Sequence, residues 1–512
     1  MSNYNEEKLS KLLNKKEIVI LKLSEIEKDN EKFRVDSEFF QKKYLTTYSF
    51  IKNERAGIQL GSVIKVLTDF SANGSYKSIA DNFTLLDEPN YAYMVRTTDL
   101  EKQDFVNDVK YVSKESYDFL AKSKVYGGEL LINKIGSPGK TYMMPHLNKP
   151  VSLGMNLFML TLKPDVGFDE YFLWAYFNSE HGKNMIFRKV NGTVPQTIDK
   201  EAIRSLYVPV IDGKVCELVS HAVKLHEEYV KAYTELFNQV TSKLYETIGF
   251  DKSRLSSNNI SICKLSDSFG VSGRLDSEYY LPKYNQLASF IKKGNHDKLG
   301  NLVDIKKSHE PGSNFYVYED GTPFVRVAEV SEFDVAEPEL RIDSSYDFSQ
   351  NPIPSKGSIL LTKDGTIGVA HFLSEQPCFV TSSGVLQLKV LDCERILPQF
   401  LTAILNSDIV RMQCERDAGG SIISHWTVPE INEILIPIPD MPVQKDICSI
   451  YSKADEIVKK SKAVSKVAVE TINIALDKGD SEALDYIEKE IVNFEMWGKC
   501  YASRQRIYLH SY

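Results

Sequence analysis

A long internal repeat constrains the fold of this chain more than any other feature. The stretch Arg34-Val-Asp-Ser-Glu-Phe-Phe recurs as Arg274-Leu-Asp-Ser-Glu-Tyr-Tyr, an offset of 240 residues. In both places a Lys-Tyr pair and a Ser-Phe-Ile-Lys stretch follow at the same spacing. Because self-similarity at a fixed period indicates duplicated structural units, we predict two copies of one unit.

Later matches keep the same order along the chain. The stretch from Gly128 to Gly139, GELLINKIGSPG, matches GSILLTKDGTIG from Gly357 to Gly368. An apolar stretch ending in proline closes both copies, and by then the offset has fallen to 228 residues. Between these landmarks lie runs of β-branched and aromatic residues broken by glycine and proline, with a helical pattern near 169–178 and 398–406. Each copy is therefore predicted to be a mixed domain of strands and helices.

A heptad pattern follows each predicted domain. In the second copy Ile447, Ala454, Ser461, Ala468 and Ala475 recur every seven residues, and Ile450, Ile457, Val464 and Thr471 interleave with them. The first copy has the seam Val215, Leu218, Ala222, Leu225, Tyr229, Ala232 and Leu236, which then shifts register to Val240, Leu244 and Ile248. Apolar heptads of this kind predict two long helices, each about 55 Å long at 1.5 Å per residue, that pair with each other.

We therefore predict an α/β (α+β) protein with a pseudo-two-fold internal repeat. Two tandem mixed domains are separated by an antiparallel pair of coiled-coil helices. The expected boundaries are an N-terminal helical extension at 1–32, a first domain at 33–211, a first spacer helix at 212–250, a linker at 251–272, a second domain at 273–440, a second spacer helix at 441–478 and a C-terminal tail at 479–512.

Composition excludes several classes of protein. The seven cysteines have no CxxC spacing, so zinc-ribbon and redox motifs are absent. Neither a secretory leader nor an apolar run long enough for a membrane span is present, and we expect a cytoplasmic protein. The formal net charge of −8 speaks mildly against nucleic-acid binding, although binding needs only a local basic surface.

Catalytic motifs for chemistry on DNA are missing as well. The nearest string to an adenine methyltransferase box is Asn351-Pro-Ile-Pro354, which lacks the aromatic residue that would stack a flipped base. A dinucleotide-binding GxGxxG, a complete phosphate loop and an HExxH metal motif are also absent. We therefore expect a non-catalytic chain with no cofactor and no metal of its own.

The two glycine-containing strand–turn motifs, each in a β-rich domain followed by a heptad helix, resemble the specificity subunits of type I restriction–modification systems. The resemblance covers about residues 33–478. It implies that each domain is a target-recognition domain reading one half of a split, asymmetric site in double-stranded DNA. It also implies partners, which are two methyltransferase subunits together with restriction subunits. S-adenosylmethionine, ATP and Mg would belong to those partners.

Candidate DNA contacts are the polar residues of loops that differ between the two copies and the lysines that precede the Gly-x-x-Gly turns. In the first copy they are Asn73, Lys77, Lys134, Lys140, Arg188, Lys189 and Gln196. In the second copy they are Lys306, Lys307, His309, Lys363, Arg416, Ser421 and His425. We expect Gly136, Gly139, Gly365 and Gly368 to serve tight turns, and the boxes around Asp36 and Asp276 to cap helices.

Two alternatives remain open from the sequence. One is a scaffold or decoy of the same fold that does not bind DNA, which the acidic net charge favours slightly. The other is the recognition half of a split endonuclease–methyltransferase. A steep salt dependence of DNA affinity distinguishes the proposed reader from a scaffold, and cofactor-dependent turnover by the purified chain would indicate an enzyme.

Overall fold

The computed structural model describes residues 18–30, 32–103, 105, 109–192, 195–258, 260–266, 268–269, 273–418, 425–492 and 494. Most of the predicted N-terminal extension and most of the predicted tail lie outside these residues, and so does Ser421. The chain divides into two compact units, one formed by residues 1–229 and 460–512 and the other by residues 230–459.

Short strands and helices make up both units. The strands are β1 (Ile58–Gln59), β2 (Ile64–Asp69), β3 (Ala92–Val95), β4 (Lys110–Val112), β5 (Lys124–Val125), β6 (Leu130–Asn133), β7 (Thr141–Met143), β8 (Val151–Leu153), β9 (Leu157–Leu162), β10 (Tyr207–Val208), β11 (His296–Lys298), β12 (Val303–Lys307), β13 (Tyr316–Val317), β14 (Thr322–Val325), β15 (Arg341–Ile342), β16 (Ile359–Thr362), β17 (Ala370–Phe372), β18 (Val380–Thr381), β19 (Val385–Val390) and β20 (Leu435–Pro437). The helices are α1 (Leu23–Glu27), α2 (Lys42–Ser49), α3 (Leu60–Val63), α4 (Tyr76–Asn82), α5 (Thr97–Lys102), α6 (Lys114–Phe119), α7 (Glu170–Asn178), α8 (Glu180–Phe187), α9 (Lys200–Arg204), α10 (Gly213–Ile248), α11 (Pro282–Ile291), α12 (Pro398–Leu405), α13 (Asp408–Asp417), α14 (Val428–Asn432) and α15 (Met441–Asp477).

Each sheet of the first unit has a counterpart in the second. An antiparallel sheet of order β2-β9-β6-β7 corresponds to the sheet β12-β19-β16-β17. In the mixed sheets the strands β4-β3-β8 correspond to β15-β14-β18, with β3–β8 and β14–β18 as the parallel pairs. The fourth strand differs, since β5 lies beside β8 in the first unit whereas β13 lies beside β15 in the second. The pair β1–β10 corresponds to β11–β20, so the proline-marked strand closes each copy. The fold thus confirms the internal repeat read from the sequence.

Each core is built from the apolar faces of these sheets. In the first unit Leu131, Leu153 and Leu157 are fully buried in one apolar cluster. In the second unit Leu360 and Val385 take the same positions on the corresponding strands. Burying a side chain of this size contributes about 1.5–3 kcal/mol, which explains why the strands of the repeated motif are apolar on consecutive positions.

The two long helices form the antiparallel pair that the heptads predicted. In the first unit the ring of His226 on α10 contacts the Ser461 hydroxyl on α15 at 2.8 Å, and the backbone amide of Asp212 donates to Asp480 at 2.9 Å. In the second unit Phe237 of α10 packs edge-on against Tyr451 of α15, with ring centroids 5.2 Å apart. The hydrogen bond with His226 therefore allows the polar residue Ser461 to occupy a buried position of the seam.

Burial follows the predicted seam with four half-exposed exceptions, which are Ile450 in the second helix and Leu218, Ala232 and Ile248 in the first. Additional residues are buried there, among them Val219 and Val223. The buried stripe of α10 is wider than a two-stranded seam because the helix also packs against the mixed domain. In the first unit, for example, Trp174 of α7 stacks on His226 of α10. Among the described residues, no helix is long and apolar enough to cross a membrane.

Candidate nucleic-acid interface

Three loops of the first unit converge at one end of its antiparallel sheet. Asp69, the last residue of β2, lies opposite Phe158, and Asn133, the last residue of β6, lies opposite Leu157. The chain segments that follow both strands therefore emerge side by side at the start of β9. A bridge between Ile135 and Thr197 brings the loop after α8 to the same place. We call this edge the loop end of the sheet.

A buried carboxylate organises the loop end of the first unit. The side chain of Asp69 is 4% exposed and accepts hydrogen bonds from Lys134 at 2.7 Å and from Lys200 at 2.6 Å. Burial by itself raises the pKa of Asp69, but the hydrogen bonds from Lys134, Lys200 and Ser71 outweigh it and lower the pKa to about 2. Asp69 is thus a charged anchor that holds two lysines at the interface.

The second unit has the same loop end with a different charge arrangement. Lys307 at the end of β12 pairs with Leu386, and Thr362 at the end of β16 pairs with Val385. Asp364 accepts from Lys363 at 2.6 Å and contacts the His425 ring at 2.8 Å. Burial raises the pKa of Asp364, but the hydrogen bonds from Lys363 and His425 lower it on balance.

The two matched lysines face carboxylates within their own units. The side chain of Lys134 is 24% exposed and that of Lys363 is 12% exposed. The partner differs because Ile135 takes the position of Asp364. Lys134 reaches instead to Asp69 at the end of β2, on the other side of β9. A direct contact of either lysine with a DNA phosphate stays a prediction.

The four turn glycines all adopt positive φ angles, between 68° and 91°. A side chain at Gly136 or Gly365 would meet no atom within 4 Å. At Gly139, however, an added Cβ would overlap Cγ2 of Ile186. The second glycine of the first turn is therefore fixed by close packing as well as by backbone conformation.

The remaining candidates of the first unit have unlike surroundings. Lys77 on α4 and Gln196 are exposed. Lys140 forms an exposed ion pair with Glu101 at 2.7 Å. Asn73 is turned inward, because its amide donates to Ser123 and to a backbone carbonyl and accepts from the Lys122 amide.

Arg188 is the candidate whose position departs furthest from a surface loop. It is 2% exposed, and its guanidinium lies 4.4 Å from the Phe39 ring and 4.3 Å from the Tyr48 ring. Burial lowers its pKa. Sequence reasoning treated Arg188 as a loop residue, but α8 and the aromatic pair enclose it. The neighbouring Lys189 is half-buried beside the same two rings.

In the second unit the basic loop residues are more accessible. Lys306, Lys307 and His309 are exposed after or at the end of β12. His425 has an exposed side chain, 62% accessible. Arg416 instead holds Asp417 with two hydrogen bonds of 2.6 and 2.9 Å.

Sequence reasoning missed residues that act between distant parts of a unit. Asp69 and Lys200 carry no motif and come together only through strand register. The repeated Arg-x-Asp box did carry a signal, since both copies preserve Arg34 and Asp36 as Arg274 and Asp276. The prediction that the boxes cap helices is wrong for the α-helix that follows in each copy, because α2 and α11 have Gln41 and Leu281 at their N-caps. Asp36 accepts from the Phe39 amide at 3.1 Å, and its main partner is the Arg34 guanidinium.

Duplicated sheets that carry polar loops at one end, in a chain with two paired helices, define a protein of two tandem mixed domains. Residues 295–466 match the family described as type I restriction modification DNA specificity domain. The second unit therefore contains a domain of this family, and the resemblance to type I specificity subunits is confirmed. A comparison with curated protein sequences gives no significant match.

Solved structures of specificity subunits align with the chain over most of its length. A type I restriction–modification S subunit from M. genitalium aligns at 13% identity and a TM-score of 0.34, covering 84% of this chain and 95% of that one. The HsdS subunit from Thermoanaerobacter tengcongensis aligns at 13% identity and a TM-score of 0.26, with coverage of 84% and 95%. A structure described as showing complex assembly and conformational transition of the type I R-M system aligns at 13% identity and 0.26, with coverage of 84% and 96%. At these scores the assignment rests on the family match and on the repeated topology.

Proposed function

We propose that this chain is the sequence-specific DNA-binding subunit of a type I restriction–modification complex, with one half-site read by each unit. The observation that carries the proposal is the duplicated loop end, which occurs twice on one topology, in a chain whose second copy is a DNA specificity domain. A scaffold common to both copies with loops that differ is the arrangement needed to read two different sequences, so we propose an asymmetric bipartite site.

The two loop ends offer different chemistry to DNA. Lys306, Lys307, His309 and His425 are exposed in the second unit, whereas Lys77, Lys140 and Gln196 are the exposed candidates in the first. Amide side chains suit adenine and lysines suit guanine or phosphate. The acidic net charge of the whole chain does not exclude DNA binding by the second unit. Its exposed basic groups supply a local positive field, and binding depends on the field at the contact surface.

The proposal assigns no chemistry to this chain. Methylation with S-adenosylmethionine and ATP-dependent, Mg-dependent cleavage would belong to methyltransferase and restriction subunits that the chain directs to its site, within the cytoplasm. Among the described residues, no group of three or more His, Cys, Asp or Glu side chains is placed to hold a metal ion. The paired helices α10 and α15 are the proposed docking elements, since they are shared by both units.

Methylation mapping tests the proposal most directly. The chain is expressed with its methyltransferase partner in a host that lacks the system, and modified adenines are mapped by long-read sequencing. We expect a new split motif that is absent without this chain. No motif, despite a stable complex and an active partner, would contradict the proposal and support the non-binding scaffold.

A pair of variants makes the test specific to the units. Lys306→Gln with Lys307→Gln should weaken modification through the second unit, and Lys77→Gln should act through the first. Lys298→Gln serves as a control in an exposed ion pair with Glu433, outside the candidate contacts, because removing such a pair costs at most about 1 kcal/mol of stability. Equal effects of all three on a palindromic, single-block motif would contradict the bipartite assignment.

A further inference from the structure

The first repeated box reaches across its unit to the start of a candidate recognition loop. Arg34 holds Asp36 with two hydrogen bonds, of 2.7 and 2.6 Å. Its third nitrogen, Nη1, donates to the carbonyl of Val190 at 2.9 Å and to that of Arg188 at 3.3 Å. These carbonyls lie immediately after α8, which ends at Phe187. One side chain thus joins positions more than 150 residues apart in the sequence.

The second box repeats this geometry. Arg274 holds Asp276 at 2.8 and 2.6 Å, and its Nη1 donates to the carbonyl of Asp417 at 2.7 Å. Asp417 is the last residue of α13, the counterpart of α8. In both units, therefore, Nε and Nη2 of the arginine bind the aspartate of the box, and Nη1 binds a backbone carbonyl at or just after the end of the corresponding helix.

The aromatic residue of each box adds a second connection. In the first unit the guanidinium groups of Arg34 and Arg188 lie 4.7 and 4.4 Å from the Phe39 ring. In the second unit, Arg274 and Arg416 lie 4.7 and 5.4 Å from the Tyr279 ring. Cation–π contacts of this kind favour one relative placement of the box and the helix end.

The carbonyls of Arg188 and Asp417 lie at helix C-termini, where the last backbone oxygens have no partner within the helix, and the carbonyl of Val190 follows two residues after Arg188. A cation there also faces the negative end of the helix dipole. In the first unit the chain beyond this point returns at Thr197, which exchanges two backbone hydrogen bonds of 2.8 Å with Asn191. The clamp on Val190 therefore fixes the base of the loop that closes at Asn191 and Thr197.

We infer that Arg34 with Asp36, and Arg274 with Asp276, are positioning residues for DNA recognition, each pair holding the chain of its own unit where the helix before a candidate loop ends. The inference rests on the proposed function, and deepens it by assigning one clamp to each half-site. The box is preserved in both copies although the loops that it holds differ in sequence. A group that fixes loop geometry is expected to be common to both units, whereas a group that reads bases is expected to differ.

Hydrogen exchange of the free full-length protein tests the clamp without DNA. In Arg34→Gln the amides of Asn191 and Thr197 should exchange at least tenfold faster than in the unaltered chain, and Ala418 should keep its rate. Arg274→Gln should give the reverse. Arg34→Lys, which keeps one donor and the charge but loses the fork, should lie between the unaltered chain and Arg34→Gln. Unchanged exchange in both glutamine variants overturns the clamp.

Methylation mapping of the same variants then tests the link to recognition. Arg34→Gln should relax base preference in one half of the split motif by about tenfold, the scale of one lost base discrimination, and Arg274→Gln should relax the other half. Loss of thermal stability with both halves still read faithfully would overturn the positioning role and leave a purely structural one. If the unaltered chain directs no motif at all, the proposed function fails, and the recognition role of the clamp fails with it. The exchange result then shows whether the clamp itself still holds the loop.

Discussion

Replacing Asp69 by asparagine should destabilise the first unit more than any other single change at its loop end. The side chain of Asp69 is 4% exposed, and two lysine ammonium groups lie within 2.7 Å of its oxygens. An amide of the same shape removes the negative charge and turns a donor toward one of the lysines. Both ammonium groups then lose their counter-charge beside an apolar core. Removing one partner of a partly buried ion pair in this way costs more stability than replacing both partners, because a charge is left uncompensated.

The pKa of Asp69 sets the magnitude. It is lowered from 3.8 to about 2, and each unit of pKa corresponds to about 1.4 kcal/mol, so the folded state favours the ionised carboxylate by about 2 kcal/mol. Breaking a fully buried pair costs about 3–5 kcal/mol, but the lysine side chains are 24% and 31% exposed and can turn toward water. We therefore expect Asp69→Asn to lower the free energy of unfolding by about 2–3 kcal/mol.

The sign of the pH dependence provides an internal check. Because the folded pKa lies below the ordinary value, the stabilisation is complete above about pH 4 and is lost as the pH falls through about 2. The difference between the unaltered chain and Asp69→Asn, measured by urea unfolding, should be full at pH 7 and shrink toward pH 2. Asp364→Asn is the matched control, and its smaller effect follows from a side chain that is 27% exposed.

Two results would refute this reasoning. One is a difference below about 0.5 kcal/mol at pH 7, the ordinary range of surface substitutions. The other is a difference that stays constant down to pH 2, since a lost carboxylate must lose its effect once the unaltered carboxyl is itself protonated.

Other perturbations have equally definite outcomes. Burial lowers the pKa of His226 to about 4, so stability should fall as the pH drops from about 6.5 toward 4, and His226→Gln should flatten the unfolding curve in that window. Gly139→Ala should cost more than about 2 kcal/mol, because the new Cβ meets Ile186 in addition to the strain of a positive φ. Gly136→Ala has open space around it and should cost only the backbone strain, about 1–2 kcal/mol, in the same thermal melts. Lys306→Gln with Lys307→Gln should reduce the slope of log affinity against log salt by up to about 2, measured with duplex DNA on the assembled complex; an unchanged slope would remove both lysines from the interface.

The sequence by itself determined the large features of this protein. The Arg-x-Asp box and the Gly-x-x-Gly motif at near-constant offset required a duplicated unit, and heptads such as Ile447, Ala454 and Ser461 required paired helices. These signals are local or periodic, so they can be recognised in the sequence without the tertiary structure. The resemblance to type I specificity subunits followed from the same motifs, and the family match confirms it.

Only the tertiary structure decided which side chains meet. Asp69, Lys134 and Lys200 are neighbours because β2 and β6 both pair with β9 in one register, and no spacing in the sequence encodes that register. Arg188 looked like a loop residue, yet two aromatic rings more than 130 residues away enclose it. The sequence does not distinguish a charged side chain that faces water from one that faces an aromatic ring, because its burial depends on the fold that surrounds it.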